Sequence, residues 1–229
     1  MTKLCVALDI PFKITETPNE RKQRLLDYMR LLAPEVALFK IHLDLFSSFS
    51  REEVAIIKSM KRKWKFKIIV DRKFADIAST TEKQLLVILA SGFPVDFVTV
   101  HALSGEGQLR VFAKYKIPAL LIAQMSTSDN LIDKEYTTKV ISIAKRNRDA
   151  VAGFITQRRL TDDDDGFIHC VPGVNLKNKT DGQNQQYRNV SAVKEFADVI
   201  IVGRSVVGDG GNRAFSKSLD SAKLIQSKL

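Results

Sequence analysis

Residues 66–81 read FKIIVDRKFADIASTT. The apolar run from Phe66 to Val70 stops at Asp71, and Lys73 and Asp76 follow closely. An anion, a cation and an anion after a strand that reads as buried make a charged cluster. Such a cluster is costly to assemble away from water unless chemistry uses it. No Ser/His/Asp set and no thiol nucleophile accompanies it. Lys73 could form a Schiff base, but that needs a neutral, desolvated amine. Flanking Asp71 and Asp76 would instead raise its pKa and keep it an ammonium. An ammonium held between carboxylates is suited to giving a proton to a carbanion.

The elements that must carry this cluster are legible. Eight short apolar runs recur: Lys3–Leu8, Ala37–Ile41, Phe66–Val70, Phe97–Val100, Ala119–Ala123, Val151–Ile155, Ile168–Val171 and Val199–Val202. Most lack clean alternation, as strands buried on both faces do. Helical signals lie between them. Thr17-Pro18-Asn19-Glu20 is a capping box with proline at the first helical position, opening a helix to Leu32. Ser50-Arg51-Glu52-Glu53 opens a second, to about Arg62. Thr80 or Thr81 is expected to cap a third, stopped by Gly92 and Pro94. Further helices are expected at Gly105–Tyr115, Lys134–Arg146, Val190–Phe196 and Ala214–Ser227. Alternation of strand and helix predicts a parallel α/β sheet, and eight repeats predict a closed (β/α)8 barrel, one domain over residues 1–229. Thr156–Gly166 is polar and carries little helical pattern.

In such a barrel the site gathers at the C-terminal strand ends. Those ends carry Asp9; Lys40, His42 and Asp44; Asp71, with Lys73 and Asp76 beyond; His101; Gln124, Met125 and Ser126; Pro172-Gly173-Val174; and Gly203-Arg204. Any one of them could be a solvated strand end, but the set is harder to dismiss. Gly173, Gly203 and Arg204 lie in the loops where barrels commonly bind phosphate. Glycine lets backbone N–H groups approach an anion, and a guanidinium fork matches phosphate oxygens. A phosphorylated small molecule is the expected substrate.

Composition narrows the setting. The chain has 229 residues, 45% hydrophobic and 27% charged, enough for a packed core. Its two cysteines, Cys5 and Cys170, sit in apolar runs and read as small buried hydrophobes, which fits a reducing, cytoplasmic location. The apolar run before Asp9 is too short for a signal peptide, and no run approaches a membrane span. The net charge is +10, with MKRKWKFK at 60–67 the densest basic stretch. Without an aromatic-interleaved RNA motif, this reads as a solvated helix end rather than a nucleic-acid site. The acidic LTDDDDGF at 160–167 lacks the spacing of a calcium loop and reads as a polar turn.

Over nearly its whole length the chain resembles the orotidine 5′-phosphate decarboxylases. The resemblance rests on LCVALD at 4–9, LFKIHLDLF at 38–46, DRKFADIASTT at 71–81, AQMS at 123–126, VPGV at 171–174, GQNQQYRNV at 182–190 and DVIIVGR at 198–204. It implies that Lys40, Asp71, Lys73 and Asp76 form an alternating charge network. Lys73 would protonate C6 of the pyrimidine, with Asp71 against the departing carboxylate. Asp9 and Lys40 would hold ribose hydroxyls, and Ser126 the pyrimidine amide edge. Gln185, Tyr187 and Arg204 would hold the 5′-phosphate, the first two from a mobile loop running from about Pro172 to Asn189. The resemblance also implies a homodimer in which Asp76 and Thr80 enter the partner's site, and no cofactor or metal. One departure is Ala78-Ser79-Thr80, where eukaryotic members usually read Gly-Asn-Thr. Two rivals remain: a related barrel that uses magnesium to decarboxylate a phosphorylated sugar acid, and a non-catalytic nucleotide- or RNA-binding barrel suggested by the charge.

Overall fold

The computed structural model describes residues 1–46, 48–175, 187–208 and 215–229. Eight parallel strands close into a barrel: β1 (Lys3–Ala7), β2 (Leu38–Ile41), β3 (Lys67–Phe74), β4 (Phe97–Val100), β5 (Ala119–Ile122), β6 (Val151–Ile155), β7 (Ile168–Val171) and β10 (Val199–Val202). β10 pairs with both β7 and β1, which shuts the ring. A separate two-stranded sheet joins β8 (Val174–Asn175) to β9 (Arg188–Asn189). The helices are α1 (Pro18–Leu32), α2 (Arg51–Trp64), α3 (Ala78–Ala90), α4 (Leu109–Tyr115), α5 (Lys134–Arg146), α6 (Val190–Val193), α7 (Arg204–Val207) and α8 (Phe215–Gln226).

Local chemistry explains most boundaries. Both capping boxes form. Thr17 Oγ1 accepts from the Glu20 amide, and Glu20 accepts from the Thr17 amide; Ser50 and Glu53 repeat the exchange at α2. Reciprocal capping satisfies amides the helix cannot pair internally. α1 then buries Leu25, Leu26, Met29 and Leu32 against the barrel. Strand alternation splits the apolar side chains into two sets. Cys5, Leu38, Ile69, Phe97, Leu120, Cys170, Val199 and Ile201 fill the barrel interior, while their neighbours pack outward under the helices. Both cysteines are free and buried.

Four expectations are corrected. Strand β3 does not stop at Asp71 but runs on through Asp71 and Lys73 to Phe74. Helix α3 begins at Ala78, and its N-cap is Ile77, which gives no side-chain cap. Thr81 instead turns its hydroxyl back to the Asp76 carbonyl, at 3.2 Å. The expected helix at Gly105–Tyr115 is a 3-10 turn at Glu106–Gln108 followed by α4, and the one expected to reach Phe196 ends at Val193. Between β6 and β7, where the polar sequence carries little helical pattern, the crossover holds only a 3-10 turn at Asp163–Asp165, as that reading expects. There the acidic run faces cations: Asp165 pairs with Lys145 and Arg148, and Asp163 with Arg159. No helix among the described residues is long and apolar enough to cross a membrane.

Candidate active site

The C-terminal ends of the barrel strands open into a cavity of about 840 Å³. Its charged floor is the upper layer of the barrel interior. In β2, Leu38 faces inward, and two residues on, so does Lys40. In β3, Ile69 gives way to Asp71 in the same manner, and in β4, Phe97 to Thr99.

Asp71 is the hub. One carboxylate oxygen lies 2.5 Å from Lys40 Nζ and 3.0 Å from His42 Nε2. The other lies 2.8 Å from Lys73 Nζ and accepts the Thr99 hydroxyl at 2.7 Å. Lys40 Nζ is also 3.5 Å from an Asp9 oxygen. His42 Nε2 stands 3.0 Å from Lys40 Nζ as well, so it accepts from the ammonium or donates to Asp71, but not both.

The row is electrostatically self-supporting. Burial pushes the Asp71 carboxyl up, but the His42 hydrogen bond and the Lys40 and Lys73 ammonium groups outweigh it, holding the carboxyl well below the usual range. Burial pushes Lys40 down, and Asp71 and Asp9 outweigh that, so it sits above an ordinary lysine. Burial and then the Lys73 charge lower His101. The Asp71 side chain is 7% exposed and that of Lys73 is 37%, so Lys73 is the member a substrate can reach.

Lys73 is also conformationally unusual. Its φ is +52°, a region where a non-glycine residue costs roughly 1–3 kcal/mol unless its surroundings hold it. The hold is visible. Between the pairs Val70–Val98 and Phe74–Val100, β3 sets Asp71, Arg72 and Lys73 opposite Thr99 alone. This bulge re-aims the strand at its end. The Lys73 amide donates to Thr99 Oγ1 at 2.9 Å. Thr99 thus fixes both the backbone that carries the ammonium and the carboxylate that pairs with it.

The opposite wall has phosphate chemistry. Pro172, Gly173, Tyr187, Gly203 and Arg204 line it, and the Arg204 guanidinium stands 5.8 Å from the centre of the Tyr187 ring. Gly173 has φ +73°, open to glycine at little cost, and its carbonyl accepts from the Arg188 amide at 2.9 Å. Asp9 and Ser126 line the cavity between the two walls.

Of the residues expected from the sequence, Asp9, Lys40, Asp71, Lys73, Ser126, Pro172, Tyr187, Gly203 and Arg204 meet in this cavity. Gln185 lies outside the described residues. Asp76 and Thr80 do not line the cavity. Asp76 accepts from the Ile77 amide at 2.7 Å and makes no ion pair with Lys73, so the row within this chain stops at Lys73. The cause is the end of β3: past Phe74 the chain turns away into α3. Sequence reading gave His42 no role and missed Thr99. A signal for Thr99 existed, since it is the polar residue in FVTV, in step with inward-facing Phe97. Among the described residues no group of His, Cys, Asp or Glu is placed to hold a metal ion.

Residues 2–218 match the model of the orotidine 5′-phosphate decarboxylase / HUMPS family. The chain belongs to this family. It is 34% identical over 225 residues to the orotidine 5′-phosphate decarboxylase of Saccharomycopsis fibuligera, spanning 91% of this chain and 80% of that protein. It is 35% identical over 217 residues to that of Phycomyces blakesleeanus, spanning 90% and 77%. Among solved structures it shares the fold of orotidine 5′-monophosphate decarboxylase from Methanocaldococcus jannaschii, complexed with the inhibitor BMP. That likeness has a TM-score of 0.70 at 19% identity, over 100% of this chain and 99% of the other. The decarboxylase of Pyrococcus horikoshii is similar, with a TM-score of 0.68 at 22% identity. The resemblance drawn from the motifs and the family match agree.

Proposed function

We infer that this chain, like its curated relatives, decarboxylates orotidine 5′-phosphate to uridine 5′-phosphate. The observation that carries the reading is the Lys40–Asp71–Lys73 row facing Tyr187 and Arg204 across one cavity. Arg204 and Tyr187, with Gln185, bind the phosphate; Asp9 and Lys40 bind the ribose; Ser126 bonds the pyrimidine amide edge. These contacts set C6 beside Lys73. The bond from C6 to the carboxylate breaks, its electron pair stays on C6, and carbon dioxide leaves. The Lys73 ammonium stabilises the developing carbanion and then transfers its proton to C6. Asp71 holds that ammonium in place. It also sets a fixed negative charge near the departing carboxylate, adding ground-state repulsion. Binding energy from the phosphate, remote from C6, organises the site.

No residue in this account works through a metal or cofactor. Loss of orotidylate ultraviolet absorbance on mixing tests the activity, and its persistence in excess chelator separates it from a magnesium-dependent sugar-acid barrel. No absorbance change at high protein would sink the reading.

The active form we propose is a homodimer in which Asp76 and Thr80 complete the partner's site. Support comes from their position outside their own cavity and from the neighbouring Ile77, which is 63% exposed. Mixing inactive Lys73→Ala and Asp76→Asn chains should restore activity, because one hybrid site is intact. No recovery on mixing counts against a shared site. A cytoplasmic location accords with two free, buried thiols.

A further inference from the structure

The opposite, N-terminal mouth of the barrel holds a second cavity, of about 730 Å³. That face of a barrel ordinarily serves stability alone. Here its floor is apolar, built from side chains such as Leu38 and Phe97 of the barrel interior. Its rim is basic. Lys3 opens β1 and Lys67 opens β3, each in step with the inward-facing residues of its strand, Cys5 and Ile69. Lys65, in the left-handed position that ends α2, stands beside them.

The balance of charge is unequal. Arg159 and the two carboxylates lining this mouth are engaged with one another. Arg159 pairs with Asp163 and with Asp198, and Asp198 also accepts from the His169 amide at 2.8 Å. Among the described residues, Lys3, Lys65 and Lys67 make no ion pair. Lys67 Nζ instead lies 5.2 Å from the centre of the Phe97 ring. Trp64, 40% exposed, completes the rim. Three ammonium groups around an apolar floor, beside a part-exposed indole whose ring has Lys63 Nζ 4.9 Å from its centre, match a ligand that is polyanionic at one end and flat and apolar at the other. The concave shape and single exposed indole differ from a nucleic-acid track, where successive aromatic side chains stack successive bases.

We propose that this N-terminal mouth binds a small molecule of the nucleoside polyphosphate class, at a site separate from the decarboxylation cavity. The ammonium groups take the phosphates, and the base lies against Trp64 and the apolar floor. This proposal does not depend on the reaction carried out at the other mouth.

Trp64 is the only tryptophan in the chain, so its fluorescence reports on this mouth alone. Titration with ATP should change that fluorescence saturably, with tripolyphosphate weaker and adenosine weaker still. The double variant Lys3→Gln/Lys67→Gln should bind ATP at least about tenfold more weakly, roughly 1.4 kcal/mol, while its decarboxylation rate stays unchanged and shows that it folds. Lys65→Asn, which keeps the left-handed backbone accessible, should weaken binding in the same direction. Arg204→Ala should leave the titration unaltered. The proposal is overturned by an unsaturable signal, by equal binding in the lysine variants, or by loss of binding in Arg204→Ala. Tripolyphosphate binding as tightly as ATP would remove the base from the account. Tighter binding of a single-stranded oligonucleotide than of ATP would replace the small molecule by a polymer.

Discussion

Strand β3 carries a lysine at each end, and the two have opposite surroundings. Lys73, at the C-terminal mouth, is partly buried and bonded to Asp71, which is itself bonded to Lys40, His42 and Thr99. Lys67, at the N-terminal mouth, is exposed and has no carboxylate partner among the described residues. The difference follows from solvation. A charge taken out of water needs a counter-charge and satisfied hydrogen bonds, or it is driven to neutrality. A charge left at a rim keeps its water and can exchange it for a diffusing anion. The first arrangement fixes an ammonium where a reaction can use it; the second leaves one available to a ligand.

The largest expected effect breaks the first arrangement at its hub. Asp71→Asn removes the nearer counter-charge of the buried Lys40 ammonium and leaves it only the Asp9 carboxylate, 3.5 Å away. Losing one member of a buried pair costs on the order of 3–5 kcal/mol. Lys67→Gln, on the same strand, should shift stability by no more than about 0.5 kcal/mol. Denaturant titration of both variants measures the contrast, and equal losses would show that burial does not separate the two mouths.

A smaller effect sharpens the same comparison through pH. The depressed Asp71 carboxyl contributes stability that is complete above its unfolded value, about 4, and is lost as pH falls below that. His101 and His169 are also lowered, chiefly by burial, so the unfolded chain takes up their protons first as pH falls through about 6.5. Melting temperature should therefore fall modestly from about pH 8 to about pH 5.5 and more steeply below about pH 4. A melting temperature that rises on acidification would contradict these signs.

Much of this was legible in the sequence, for identifiable reasons. The strands were readable because a closed parallel barrel buries both faces, so its strands stand out as apolar runs between capping boxes. LFKI announces its own anomaly, a lysine inside such a run. The bulge at Lys73 was not legible, because it depends on Thr99 of the next strand holding a backbone amide. The start of α3 was misplaced for a related reason: Thr81 spends its hydroxyl on the Asp76 carbonyl instead of capping the helix. Asp76 looked adjacent to Lys73 in sequence, yet the turn into α3 takes it out of the cavity. The basic run 60–67 read as one solvated helix end, but the fold divides it. Lys61 pairs with Asp96 on the outside, while Lys65 and Lys67 reach the barrel mouth.

The central claim is that the Lys73 ammonium carries the chemistry while the phosphate wall carries the binding. Its most direct test is Lys73→Ala, measured for turnover of orotidine 5′-phosphate and for affinity for uridine 5′-phosphate in the same preparation. The account predicts that turnover falls by about 10⁴-fold or more, from loss of both the stabilising charge and the proton donor, while affinity stays within about tenfold. Near-normal turnover in that variant, with its affinity intact, would contradict it.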